Sequence, residues 1–235
     1  MATRFYLPET LAGQVTPPAP SGTDWEHVNT GPPVRYLLRG PDTSALTSTA
    51  YTPDAADHLI DQDACHRQYV SEALVAQTVS GNIKAQIQCL EANAGNNLFL
   101  TLKVLVCTNS GGSTVGTLLA ITRDTTTEIG TSLTNRNFPS TALTSTAVST
   151  GDRLVIEIGV GGLPVAAGGT QGHNATLRFG CNASSGDLPE DDTQTGTTYR
   201  PWIEISTNLQ FLADRVGPAV TQQTLTSGMI GILRK

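Results

Sequence analysis

Residues 151–161 read Gly151-Asp152-Arg153-Leu154-Val155-Ile156-Glu157-Ile158-Gly159-Val160-Gly161, and this stretch decides the fold class. Apolar side chains recur at every second position, namely Leu154, Ile156, Ile158 and Val160. A period of two is typical of a β-strand with one face in a core. The Gly-Asp dipeptide before it and the glycines after it are turn signals. The stretch therefore predicts a strand that packs one face against a second layer.

The same alternation recurs along most of the chain. It marks residues 83–89, where Ile83 and Ile87 share a face, and residues 98–107. The second run is followed by Ser110-Gly111-Gly112-Ser113 and a further run at 115–122, a pattern that predicts a hairpin. Residues 202–206 alternate again. Eight or nine strands of ordinary length predict an all-β chain, a jelly-roll-like two-sheet β-sandwich with extended N- and C-terminal arms.

Prolines and the loss of alternation divide the chain into three parts. Residues 1–50 contain repeated prolines and predict an N-terminal arm with short edge strands. Residues 51–211 predict the β-sandwich domain, with one helical turn at 54–59. Residues 212–235 predict a C-terminal extension with an apolar tip, and such a tip on a polar tail usually docks on another surface.

Charge and composition disfavour several classes of function. The net charge is -6, only 14% of the residues are charged, and the sequence contains no Lys/Arg cluster. Binding of nucleic acid through phosphate neutralisation is therefore not expected. No apolar run has membrane-spanning length, and the N-terminus lacks the apolar segment of a signal peptide, so no membrane association is expected.

Cysteines and histidines show no metal-ligand spacing. Cys65, Cys89, Cys107 and Cys181 form no CxxC pair, and two of them lie in strand patterns as small buried side chains, although disulfides stay open. His58 and His66, with Asp61 and Asp63 between them, form the only histidine cluster. A solvated loop explains that cluster better than a metal site.

An acidic loop is the other candidate metal site. Asp187, Glu190, Asp191 and Asp192 offer carboxylates of the kind that calcium prefers. Their spacing fits no defined calcium loop, and Pro189 among clustered charges favours a plain surface turn. We therefore expect no metal ion and no cofactor. The alternative is a calcium site formed by these four residues.

Catalytic signatures are equally weak. No Gly-x-Ser-x-Gly motif is present, and the glycine-rich residues 161–172 lack the features of a phosphate-binding loop. Glu157 and Glu204 lie on predicted strands and would line a cleft in a glycosidase-like site. Outward-facing strand positions explain them equally well. The sequence therefore predicts no catalytic residues and no enzyme.

Several phrases resemble, in order, uncharacterised structural proteins of tailed bacteriophages. The resemblance covers about residues 1–206 and implies a virion component assembled in the host cytoplasm. It brings no catalytic residues with it. The phrases are Arg4-Phe5-Tyr6-Leu7-Pro8, Arg67-Gln68-Tyr69-Val70-Ser71, Gly116-Thr117-Leu118-Leu119, Thr131-Ser132-Leu133-Thr134-Asn135-Arg136, Gly151-Asp152-Arg153-Leu154-Val155-Ile156-Glu157-Ile158-Gly159 and Pro201-Trp202-Ile203-Glu204-Ile205.

Three hypotheses on function follow. The first is a capsid decoration (cement) protein, a homo-oligomer whose arms bind the phage major capsid protein. The second is a neck, collar or tail connector or fibre-attachment protein, and the third is a carbohydrate-binding adhesion module. For the first, the expected docking residues are Phe5, Tyr6, Trp25, Ile230, Ile232 and Leu233.

Overall fold

The computed structural model describes residues 1–20, 25, 33–51, 62–162 and 174–215. They form two large, mainly antiparallel sheets that pack face to face, so the predicted all-β sandwich is confirmed. The elements are β1 (Thr3–Tyr6), β2 (Val34–Tyr36), β3 (Thr47–Tyr51), β4 (Gln62–Ala73), β5 (Gln77–Val79), β6 (Asn82–Glu91), β7 (Leu98–Cys107), β8 (Thr114–Arg123), β9 (Thr134–Ala142), β10 (Thr146–Val148), β11 (Arg153–Gly162), β12 (Ala175–Phe179), β13 (Gly186–Asp187), β14 (Tyr199–Arg200), β15 (Trp202–Ile205) and α1 (Leu212–Arg215).

The strand predicted from residues 151–161 lies at the centre of a five-stranded sheet, here called sheet B. Its order is β2-β4-β11-β7-β8, and β11 pairs antiparallel with both β4 and β7. Only the β2–β4 pair of this sheet is parallel. The predicted hairpin is the antiparallel β7–β8 pair. β11 has a neighbouring strand on each edge, with irregular register against β4 between Arg153 and Val155 and between Ile158 and Gly159.

The six-stranded sheet, here called sheet A, is organised around β6. One edge of β6 pairs with β9 along its length. The other edge pairs first with β15 and then with β12, which lie end to end. Beside them lie β1, paired with β15, and β3, paired with β12. Two small pairs, β5–β10 and β13–β14, complete the described sheets.

The core lies between the two sheets. On β11, Leu154, Ile156, Ile158 and Val160 are fully buried. Ile156 lies between Tyr69 on β4 and Val104 on β7. Burial of each such side chain stabilises the fold by about 1.5–3 kcal/mol. The alternation in the sequence therefore fixed the inner face of the central strand correctly.

Residues 1–50 contribute edge strands to both sheets: β1 and β3 in sheet A, and β2 in sheet B. A buried ion pair fastens this part of the chain to the sandwich. Arg67 Nη2 on β4 lies 2.6 Å from the Glu9 carboxylate and donates to Thr49 Oγ1 on β3. The predicted helical turn at 54–59 and residues 216–235 of the predicted extension lie outside the described residues. No helix in the described ranges is long and apolar enough to span a membrane.

Candidate functional site

Three of the expected docking residues are inside the fold. Phe5 is fully buried and packs edge-to-face on Phe211, with ring centroids 6.2 Å apart. Trp25 is 1% exposed and Tyr6 is 9% exposed. Phe5 faces the core, whereas Tyr6 on the opposite face of β1 packs with Leu188 and Trp202. None of the three therefore offers a docking surface in this structure. Ile230, Ile232 and Leu233 lie outside the described residues.

The N-terminal segment covers the outer face of sheet B. Val15 and Val34 pack on an outer apolar patch formed by Val70, Leu105 and Val155. Further along the sheet, Trp25 lies over Gly159, where a Cβ atom would be 2.8 Å from the Trp25 ring. The bare backbone of Gly159 provides the space that the indole fills. The described residues of this segment therefore lie against the sandwich.

A buried polar cluster lies under the same segment. Gln68 Nε2 donates to Glu157 Oε1 at 2.8 Å and to the Pro18 carbonyl at 2.9 Å. Lys103 Nζ lies 3.7 Å from Glu157 Oε2. All three side chains project from sheet B on the face away from the core, and Glu157 is fully buried. A buried carboxylate needs such partners, because an unpaired buried charge is costly.

The two carboxylates considered for a glycosidase-like site lie on opposite sides of the molecule. Glu157 is on the outer face of sheet B, whereas Glu204 is on the outer face of sheet A. The whole core separates them, because packed sheets lie about 10 Å apart. Glu204 is paired with Arg4 at 2.9 Å and with Lys84 at 3.2 Å. The two residues do not line a common cleft.

A ladder of charges crosses the outer face of sheet A. Arg4 on β1, Glu204 on β15 and Lys84 on β6 lie directly opposite one another. Hydrogen bonds to Glu190 and then Glu204 raise the pKa of Lys84. The Arg4 guanidinium also lies 3.8 Å from the centre of the Trp202 ring, a cation–π contact. Sequence analysis missed this ladder, because the register of three distant strands brings these residues together.

The four calcium candidates do not converge on one point. Asp187 binds Arg4 at 2.9 Å and Arg200 at 2.6 Å. Glu190 binds Lys84 at 2.7 Å. The other two, Asp191 and Asp192, accept backbone N–H groups of Thr193 and Asn137, respectively. In the described part of the chain, no group of three or more His, Cys, Asp or Glu side chains is placed to hold a metal ion.

The acidic loop, residues 187–196, instead covers sheet A through buried amide side chains. Asn135 Nδ2 on β9 donates to Gln86 Oε1 and to the carbonyls of Pro189 and Asp191. Gln88 Nε2 on β6 donates to the carbonyls of Gln194 and Gly196. Asn135 and Gln88 are fully buried. The loop predicted to be a plain surface turn is therefore attached to the sheet at several points.

The same loop also closes the edge of β9. The backbone N–H of Asn135 donates to the Gln194 carbonyl, and that of Asn137 donates to Asp192 Oδ1. Both groups point away from β6. Pro139, two residues beyond Asn137 on β9, has no N–H. The edge of β9 that faces away from β6 is therefore covered by the acidic loop and does not accept a further strand.

The predicted histidine cluster is only partly described. His66 is buried, and burial lowers its pKa to about 3. Asp63 accepts a 2.6 Å hydrogen bond from Arg123 Nε. His58 and Asp61 lie outside the described residues.

All four cysteines are free and buried. Burial raises the pKa of Cys89 to about 12 and that of Cys107 and Cys181 to about 11. Burial also raises the pKa of Cys65 well above its ordinary value. The thiolate is the nucleophilic form, so the raised pKa values disfavour the reactive form of these thiols in the folded state.

Two shallow hollows flank Ala2 at one end of sheet A. One, of about 390 Å³, is lined by residues that include Arg4, Arg39 and Asp214. The other, of about 320 Å³, is lined by Asn82, Lys84, Ser140, Glu190, Glu204 and Ser206, together with Ala2. Each lining includes ion-paired side chains, among them Arg4 and Asp214 in the first hollow and Lys84 and Glu204 in the second.

No protein-family model matches the chain, and no curated protein matches it. The chain is similar to the solved structure of a CocE/NonD family hydrolase from Staphylococcus aureus, with 11% identity, a TM-score of 0.47 and coverage of 88% of this chain and 36% of that one. It is similar to an alpha-amino acid ester hydrolase, with 11% identity, a TM-score of 0.39 and coverage of 88% and 36%. It is also similar to infectious bursal disease virus Gx strain, with 13% identity, a TM-score of 0.27 and coverage of 71% and 38%. The chain spans little more than a third of each matched chain. At these identities and TM-scores, the similarities carry no argument about function.

Proposed function

We propose that this chain is a non-enzymatic structural component of a tailed-phage virion, most specifically a capsid decoration (cement) protein. The phage-like phrases suggest the setting. The observation that carries the proposal is that the chain's own segments cover the outer faces of both sheets: Val15 and Trp25 cover sheet B, and the acidic loop covers sheet A. Because both outer sheet faces are covered by its own segments, such a sandwich binds partners through its sheet edges and its terminal segments. That mode of contact suits a protein that bridges subunits of a lattice.

The state of the reactive side chains supports a structural role. Glu157 and His66 are buried, the thiols have raised pKa values, and the loop carboxylates are held by Arg, Lys or backbone N–H groups. A general acid or base must reach its substrate. Glu157 and the loop carboxylates instead pair with side chains or backbone groups of other segments of the chain.

The proposed partners are the phage major capsid protein and further copies of this chain. The neck, collar or tail connector role uses the same fold at a different place and stays the second hypothesis. The carbohydrate-binding hypothesis is third, because Trp25 and Trp202 are each 1% exposed. Tyr36, Phe99 and Tyr199 are partly exposed and Phe5, Tyr69, Phe138, Phe179 and Phe211 are buried, so none of these side chains is a fully exposed member of an aromatic sugar platform.

Co-sedimentation of the purified protein with empty, tail-less phage heads tests the proposal. We expect saturable binding at hundreds of copies per head. An unrelated protein of similar size and net charge is the control, because it measures how much protein adsorbs to the heads through charge alone. Binding of a handful of copies would place the protein at the neck or tail. Absence of binding to both heads and tails would overturn the virion role.

A further inference from the structure

The edges of the sheets differ in how far the chain itself closes them. At β1, Tyr6 and Leu38 exchange backbone hydrogen bonds. At β2, the N–H of Tyr36 donates to the Leu11 carbonyl. At β8, the Leu118 carbonyl accepts the N–H of Thr144. With β9 closed by the acidic loop, four edge strands carry an additional contact on their outer side.

The remaining edge strand, β3, has no such contact among the described residues. Its sequence is Thr47-Ser48-Thr49-Ala50-Tyr51, without charge, proline or bulge. No backbone hydrogen bond joins it to a described residue outside β12. Proteins usually protect an edge strand by charge, proline, a bulge or a cover. An edge of this kind is a template for an added strand.

The ladder of sheet A shows which groups of β3 face outward. Opposite residues of an antiparallel pair alternate between exchanging both hydrogen bonds and exchanging none. On β9, Asn135 donates away from β6, so the neighbouring Thr134 bonds with Cys89. Cys89 therefore turns its backbone groups toward β9 and away from β12.

The alternation continues through β12. Leu177 lies between Cys89 and Thr49, and since Cys89 faces β9, Leu177 turns toward β3 and bonds with Thr49. The N–H and C=O groups of Ser48 and Ala50 consequently point to the open side. Both residues are exposed.

We propose that residues 216–235 of a second copy of this chain add a strand to β3. Residues 216–233 carry no charge, which matches the uncharged edge. Within them, the run 219–227 contains neither proline nor glycine and includes Val220, Thr221, Thr224 and Thr226, which have high strand propensity. A strand of that composition satisfies the outward groups of Ser48 and Ala50.

The position of α1 favours a second copy over the same chain. α1 is fastened by Arg39, which binds Asp214 at 2.9 Å and also pairs with Glu72. It follows β15, which pairs with the start of β6, whereas β3 lies beside the end of β6. From Ile83 to Cys89 the offset along β6 is roughly 20 Å. Run 219–227 starts four residues after α1, and the reach of those residues, roughly 13 Å, is shorter than this offset.

Hydrogen exchange of the Ser48 and Ala50 amides in the full chain and in a chain ending at Arg215 tests the inference. In the full chain we expect protection that rises with protein concentration, together with an oligomer in sedimentation equilibrium. In the shortened chain we expect a monomer whose two amides exchange at least about tenfold faster. The readout uses the purified protein alone, so its failure is distinct from failure of head binding.

Substitutions on the edge provide the matched controls. Ser48→Pro removes an outward N–H, which an edge strand tolerates. Ser48→Lys places a charge on the edge, and Ser113→Lys makes the same change at an exposed residue off β3. We expect both Ser48 variants to be monomeric with the native circular dichroism spectrum, and Ser113→Lys to behave as the unsubstituted chain.

Three results would overturn the inference. Equal protection of the two amides with and without residues 216–235 would assign the edge to another part of the chain, such as residues 52–61. Protection that depends on the tail but not on protein concentration would assign the strand to the same chain. An oligomer that persists in both Ser48 variants would place the contact elsewhere.

Discussion

Gly159 illustrates how one missing side chain positions a segment from elsewhere in the chain. On the outer face of β11 it leaves space for the Trp25 indole. A Cβ atom there would overlap the carbonyl oxygen of Ala64 and press on the indole. The identity of this residue therefore decides whether the N-terminal segment can lie on sheet B.

We expect Gly159→Ala to lower the free energy of unfolding by about 3 kcal/mol, because overpacking forces the backbone or Trp25 to move. Urea denaturation followed by Trp fluorescence measures the change. Gly40→Ala is the control, because a Cβ at Gly40 meets no atom within 4 Å. That control should stay within about 0.5 kcal/mol of the unsubstituted protein. Equal stability of the two variants would contradict the contact.

Glu91 is a second residue whose environment has a measurable consequence. It is buried where β6 leads toward β7, and its carboxylate accepts the N–H of Leu98. Burial raises the pKa of Glu91 to about 7, and the nearby charge of Glu128 contributes to this rise. The hydrogen bond from Leu98 and the charge of Arg136 lower the pKa, but their effect is smaller. The folded protein therefore keeps a proton that the unfolded chain releases near pH 4.5.

Because the folded-state pKa is raised, the stabilising contribution of Glu91 is complete below pH 4.5 and is lost as the pH rises through about 7. Glu91→Gln mimics the protonated acid, so we expect equal stability at pH 4 and a more stable variant at pH 8. One pKa unit corresponds to about 1.4 kcal/mol, so the gain amounts to roughly 1–3 kcal/mol. Urea denaturation across this pH range tests it. A variant that is less stable than the unsubstituted protein at pH 8 would contradict the raised pKa.

At the scale of elements, the acidic loop and the β6–β9 pair form one unit. Buried amides on the strands donate to loop carbonyls, and loop groups accept N–H bonds from the edge of β9. These contacts give hydrogen-bond acceptors to the buried amide nitrogens of Asn135 and Gln88. The loop is therefore expected to stay ordered without a ligand.

Asn135→Ala should lower the free energy of unfolding by about 2–3 kcal/mol, because it leaves the buried Gln86 Oε1 and the carbonyls of Pro189 and Asp191 without this donor. Chemical denaturation gives the value. Asn93→Ala is a matched control in an exposed loop, where Asn93 accepts one backbone hydrogen bond from Gly95. We expect that control to cost about 0.5 kcal/mol or less. A similar loss in the two variants would mean that the Asn135 contacts do not anchor the loop.

Calcium should leave the melting temperature unchanged, because Asp187, Glu190, Asp191 and Asp192 are held by different partners. A ligand that binds only the folded state raises the melting temperature, and the rise grows with the logarithm of the free ligand concentration above its Kd. Thermal melts with millimolar calcium and with EDTA make the comparison, with magnesium as the control cation. A saturable rise with calcium alone would show that the loop rearranges into a site.

At the scale of the whole molecule, stability comes from the core between the sheets and not from covalent links. All four cysteines are free and buried in different parts of the sandwich. We expect the native protein to react with none of its thiols within minutes of adding a thiol reagent, and the denatured protein to react with all four. A melting temperature that falls on adding a reductant would contradict this, since it would reveal a disulfide.

The sequence by itself determined the fold class and the inner faces of the strands. Leu154, Ile156 and Ile158 are buried as their alternation predicts. The reason is that the two-residue period is a local property, set by the pleat of one strand. The hairpin of β7 and β8 was predictable for the same reason, because its turn residues lie between two alternating runs.

Only the tertiary structure decided which distant groups meet. Arg4 lies opposite Glu204 because two strands from opposite ends of the chain share a register. Asn135 binds a loop some fifty positions away, and Trp25 lies over Gly159. No local pattern encodes such pairs, because they depend on the order and register of strands across the whole sandwich. That is why the acidic loop and the charges around Trp202 resembled ordinary surface residues in the sequence, while in the fold they hold the outer face of sheet A together.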